Sequence, residues 1–152
     1  MQLFQFLLLA ALGVLIFSDP SRAAERCKNI HARAGWQSVH LPVSRISGFN
    51  ISGRWSVSER RYPYVDYLGY TGRAASQLER GDHNRLRDDL PYGMLLVDGG
   101  HGVLGSKLFV KQLESAAAKR ARIGGSLRFR INEIGSALRD NRGKITVCFT
   151  LN

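Results

Sequence analysis

The stretch KITVCFT, residues 144–150, alternates without a break, with Ile145, Val147 and Phe149 on one side and Thr146, Cys148 and Thr150 on the other. A repeat of two residues is the period of a strand with one buried face. SLRFRIN, 126–132, repeats the pattern with Leu127, Phe129 and Ile131 inward and Arg128 and Arg130 outward. EIGSALRDNRG joins the two and is too long for a tight hairpin. Working backwards, GMLLVDG (93–99), YPYVDYL (62–68), FNISGRWSV (49–57) and WQSVHLP (36–42) read as further short strands between Gly, Pro, Asn and Asp. Only KQLESAAAKRARI, 111–123, has helix-forming composition, so one short helix is expected. Many short strands without βαβ alternation predict an all-β antiparallel sandwich, for which a jelly-roll is one closure.

The N-terminus carries a different signal. LFQFLLLAALGVLIF, 3–17, is apolar and is followed by SDPSRAAE, the order of a secretory h-region and a small-residue cleavage site. Ser21 and Ala23 take the two small positions, which places the cut after Ala23 and divides the chain into a signal peptide, 1–23, and one domain, 24–152. The alternative, an uncleaved anchor, meets a run shorter than the ~20 residues a bilayer core requires. Arg26 before Cys27 argues against a lipoprotein. A secreted or periplasmic protein with no membrane span after processing is expected.

The chain has 22 Lys and Arg against 12 Asp and Glu, a net charge of +10. Cleavage removes one of each, Arg22 and Asp19, and leaves that charge unchanged. A basic surface favours anionic surroundings such as envelope polysaccharide. Its short clusters, ERR (59–61) and KRAR (119–122), lack the length and aromatic interleaving of a nucleic-acid site, so no nucleic-acid partner is expected.

Cys27 and Cys148 are the only cysteines. In an oxidising compartment an even count favours pairing, here of the first strand with the last. The functional alternative is a nucleophile served by His31, His40, His83 or His101, but neither Cys lies in a nucleophile motif. GGHGVLG, 99–105, has the spacing of a dinucleotide loop without the βαβ unit such a loop needs, and it reads as a connection between strands with His101 exposed.

Three stretches carry a family resemblance: GRWSV (53–57), LPYGMLLVDGG (90–100) and LRFRINEIGSALRDNRGKITVCFTL (127–151). Together, over residues 50–151, they resemble the calcium-dependent galactophilic lectin of Pseudomonas and its relatives. The shared pattern is an early Gly and Trp, a Pro-Tyr-Gly strand, and a final acid-and-Asn loop before an alternating strand. Calcium takes 6–8 oxygen ligands from carboxylates, amides, carbonyls and water. Glu133, Asp140 and Asn141 place two carboxylates and an amide on one loop, which alone reads more readily as an Asx-rich turn bonded to its own backbone.

The resemblance implies calcium as cofactor, bound by the side chains of Glu133, Asp140 and Asn141, by the Ala137 carbonyl and by a carbonyl near Ser58 or Glu59. It implies galactose-type hydroxyls completing the coordination, with Glu133, Asp140, Asn141 and Arg73 as sugar contacts, and a galactose-binding-domain-like fold. The chain departs from the pattern: Glu133 stands for Asp, Asp140 for Asn and Ala137 for Thr, while Arg139 and Arg142 bring positive charge beside a cation site. The expectation is a carbohydrate-binding, non-enzymatic protein, able to form oligomers. The competing expectation is a basic envelope or virulence-associated interaction protein of the same fold without calcium, binding anionic glycan, lipopolysaccharide or protein. An enzyme comes third, since Glu133 and Asp140 have no His partner or aromatic cleft nearby in sequence.

Overall fold

The computed structural model describes residues 23–81 and 84–152. The leader expected over 1–23 therefore lies outside the described residues except for Ala23. Among the described residues no helix is long and apolar enough to cross a membrane.

The chain is mostly antiparallel β-structure. Strands β1 (Ala24–His31), β2 (Gln37–Ser56), β3 (Leu95–Asp98), β4 (Val103–Gly105), β5 (Arg122–Ile131) and β6 (Arg142–Leu151) form one sheet in the order β1-β6-β2-β5-β3-β4. Helices α1 (Gly72–Gly81) and α2 (Ser106–Ala118) and a 3-10 turn at Gly135–Asp140 complete it. The sequence led us to expect one helix at 111–123. Instead α2 begins five residues earlier, Arg122 opens β5, and α1 forms where no helix was expected.

WQSVHLP and FNISGRWSV, expected as two strands, are the two ends of β2, which runs for 20 residues. Its first half pairs with β5 from Gln37↔Phe129 to Arg45↔Arg122, and its second half with β6 from Ile46↔Leu151 to Ser56↔Arg142. The register slips between Leu41 and Ser44 and again between Ile46 and Gly48. Pro42, which has no N–H to give to a ladder, sits in the first irregularity, where that loss costs least. β2 therefore lies between β5 and β6, although these two follow one another in sequence.

YPYVDYL is not a strand; a single bridge, Trp55↔Val65, is all its pairing. Arg130 is a further correction. Although its place in the alternation points outward, it is buried, with its guanidinium 5.6 Å from the Trp36 ring centre and donating to the Ile131 and Glu133 carbonyls. Aromatic stacking and carbonyl acceptors offset the cost of taking the cation out of water. Burial pushes its pKa below the usual guanidinium value, and nearby Glu133 opposes that shift.

Trp55, Phe129, Ile131, Ile145 and Phe149 form the centre of the core and are 0% exposed. α2 turns Phe109 and Leu113 onto the sheet, with Phe109 edge-on to Phe129 at 5.8 Å. The alternation of KITVCFT holds for Ile145, Val147 and Phe149, fully buried, against the half-buried Thr146 and Thr150, whereas Cys148, expected on the outer side, is buried as well. Two glycines allow close approach near the site. Gly143 (φ 87°) faces Trp55 across the ladder, and a Cβ there would clash with the Arg54 carbonyl oxygen. At Gly69 (φ 83°) a Cβ would lie 2.5 Å from the Tyr92 oxygen.

Cys27 and Cys148 stand directly opposite one another across β1 and β6 and are joined in a disulfide. β1 is otherwise weakly held, since only Ile30 of its eight residues is buried.

Candidate functional site

The loop between β5 and β6 begins with Asn132, which is fully buried. Its amide nitrogen donates to the carbonyls of Arg87, Leu90 and Pro91 at 2.9–3.0 Å, and its oxygen accepts the Arg87 N–H at 2.9 Å. One side chain thus fixes the 87–91 segment beside the loop. Glu133 follows, with its N–H bonded to the Ile131 oxygen at 2.9 Å. The 3-10 turn then reverses the chain, and Asn141 closes it through its N–H to the Leu138 carbonyl at 3.3 Å.

This reversal brings Asn141 back to Glu133. The Asn141 amide nitrogen donates to the Glu133 carboxylate at 2.6 Å and to the Ala32 carbonyl at 3.1 Å. Asn141 is 0% exposed and Glu133 3%. The Asn141 side-chain oxygen is buried and receives no hydrogen bond.

Opposite the loop runs the segment after β2. The Ser58 carbonyl accepts the N–H groups of Arg61 at 3.1 Å and Tyr62 at 2.9 Å, forming a tight turn. The Tyr70 hydroxyl accepts the Val57 N–H at 3.2 Å and donates to the Pro63 carbonyl at 2.8 Å, and its burial raises its pKa. Glu59 bridges the two segments: Arg142 pairs with it at 3.1 Å and the Tyr64 hydroxyl donates to it at 3.2 Å.

Between these segments opens a cleft of about 790 Å³. Glu133, Ala137, Asp140 and Ser58, four of the residues expected to bind metal, all line it, while Asn141, the fifth, does not line it but is bonded to Glu133. Arg73, expected at the sugar, does not line this cleft; it is exposed in the first turn of α1. The Ser58 carbonyl, with two N–H donors already on it, is committed to its own turn.

The cleft is also rich in cations. Arg33, Arg60, Arg61, Arg139 and Arg142 line it, against the carboxylates of Glu59, Glu133 and Asp140. Among the described residues only Arg142 of these five makes an ion pair. Arg33 was not singled out in the sequence. It follows Ala32, whose carbonyl Asn141 holds, and that contact places it at the cleft. Tyr62, half-buried and edge-on to Tyr70 at 6.0 Å, gives the cleft an aromatic wall.

The donors suit a hard cation: two carboxylates, an amide oxygen with no donor, and the backbone at Ala137. Among the described residues Glu25, Cys27 and Cys148 also cluster as potential ligands, but they offer no thiolate, because both sulfurs are in the disulfide. No family model, no curated protein and no solved structure matches this chain.

Proposed function

We propose that the protein binds carbohydrate reversibly in the cleft between the Glu133–Asn141 loop and the Ser58–Tyr62 turn, with calcium as its cofactor. The observation that carries this reading is the buried Asn141 side-chain oxygen, which has no donor and lies on the residue that holds the Glu133 carboxylate. A buried acceptor without a partner costs about 1–3 kcal/mol, and a bound cation would remove that cost. Glu133, Asp140 and Asn141 would hold the ion with the Ala137 carbonyl. When bound, calcium supplies coordination positions for two neighbouring sugar hydroxyls, with galactose the first candidate. Asn141 orients the Glu133 carboxylate, Glu59 draws the Arg142 guanidinium aside, and Tyr62 offers a ring to the apolar face of a sugar.

Recognition of this kind needs no acid and base pair, so we assign no catalytic residue. The jelly-roll sandwich belongs to the same proposal. It is supported by β2, which pairs with β5 over its first half and with β6 over its second, as a strand shared between two layers would. Export to the periplasm or the exterior is supported by the Cys27–Cys148 disulfide.

Calorimetric titration of residues 24–152 with calcium tests the reading. Saturable binding and a raised Tm are expected, both lost in Asp140→Ala. No stabilisation at millimolar calcium would overturn it.

The arginines favour a second reading, a basic interaction protein that binds anionic envelope glycan, lipopolysaccharide or protein without calcium. Salt and chelator separate the two. Coordination is lost in chelator and changes little with salt, whereas binding by exposed charge does the reverse.

A further inference from the structure

We propose that the saccharide taken by this cleft is acidic, with its carboxylate or phosphate held by the arginines that line the opening. The inference rests on the carbohydrate reading above and deepens it. Of the three carboxylates in the cleft, Glu59 is engaged by Arg142 and Tyr64, and Glu133 is buried against Asn141. Asp140 remains, against Arg33, Arg60, Arg61 and Arg139, none of which has an ion pair among the described residues.

The lining carries five cations and three anions, a formal +2, and a divalent ion would raise it further. A neutral sugar leaves that excess standing. An anionic substituent on the same ring offsets it and offers oxygens in the planar geometry that a guanidinium fork matches in two parallel hydrogen bonds. The cleft is thus divided, with the Glu133–Asn141 side suited to hydroxyls and the arginine side to an acid group.

Calorimetry with methyl galactoside, methyl galacturonide, galactose 6-phosphate and inorganic phosphate, each in calcium and in chelator, tests the proposal. At least one acidic sugar is expected to bind tenfold or more tightly than the galactoside, and which of the two does so identifies the anion. The variant Arg61→Gln/Arg139→Gln alters two exposed side chains and is expected to keep the wild-type Tm. It should bring the acidic sugars down to the galactoside's affinity. Equal affinity for neutral and acidic sugars would overturn the acid preference while the carbohydrate reading stood. Inorganic phosphate binding as tightly as the sugars would show that the ring contributes nothing, and both would fail. No binding by any probe would also overturn both.

Discussion

Asn141 donates its side-chain amide to the Glu133 carboxylate across 2.6 Å, in a pocket that leaves both residues almost wholly out of water. A hydrogen bond to a charged group contributes about 1.5–3 kcal/mol, and its loss leaves the charge buried with less compensation. Asn141→Leu is therefore expected to lower unfolding free energy in chelator by at least that much, as read by urea denaturation. Glu133→Gln keeps the size and removes the charge. It should cost less in chelator, yet abolish any stabilisation by calcium.

Trp55 is 0% exposed, and its indole N–H donates to the Gly93 carbonyl at 2.7 Å. The bond ties the end of β2 to the segment leading into β3, and both flank the cleft's turn. Trp55→Phe keeps an aromatic ring but orphans a buried carbonyl, a cost of about 1–3 kcal/mol before any loss of packing. Thermal unfolding should show the loss, and an unchanged Tm would mean that the carbonyl finds another donor.

The strands that alternate cleanly were legible. In KITVCFT each apolar residue is buried, because β6 is flanked by β1 and β2 and shows one face to the core. Where tertiary contacts override the local pattern, legibility ends. Arg130 sits at an outward position yet is buried, because Trp36, 94 residues away, supplies a stacking surface. YPYVDYL has strand composition, but its tyrosines serve side-chain roles, with Tyr64 donating to Glu59 and Tyr62 walling the cleft. Of the site, only the closeness of Glu133, Asp140 and Asn141 could be read, since one short loop carries all three. The convergence of Arg33, Arg60 and Arg61 on it could not, since it depends on how β1 and the end of β2 flank β6.

Asp98 ends β3 with its carboxylate accepting the Gly100 N–H at 2.8 Å and paired with Arg128. The Gly100 hydrogen bond first, and Arg128 second, hold its pKa below the ordinary carboxylate value. A depressed folded pKa gives stability that is fully present above the unfolded value, about 3.9, and is lost as pH falls through the folded one. The denaturation midpoint should drop below about pH 4 in the wild type. Asp98→Asn, already without this contribution, should show a shallower fall. Parallel curves for the two proteins would mean that Asp98 does not contribute to the acid transition.

The Cys27–Cys148 disulfide closes a sequence separation of 121 residues. On the chain-entropy account a loop near that size stabilises by about 4–5 kcal/mol, and native disulfides typically contribute about 2–5. The local effect should exceed the global one, because β1 pairs only with β6 and buries only Ile30. Without the covalent link the strand keeps its ladder hydrogen bonds but little apolar contact to hold them. In Cys27→Ser/Cys148→Ser, amide exchange along Ala24–Asn29 should accelerate far more than along β5, whose inner residues Phe129 and Ile131 are fully buried. The cleft lies mainly on the β5–β6 loop and the turn after β2, so its ligand binding should survive in the fraction that remains folded. Uniform acceleration across both strands would instead make the disulfide a global clamp, and binding would then fall with stability.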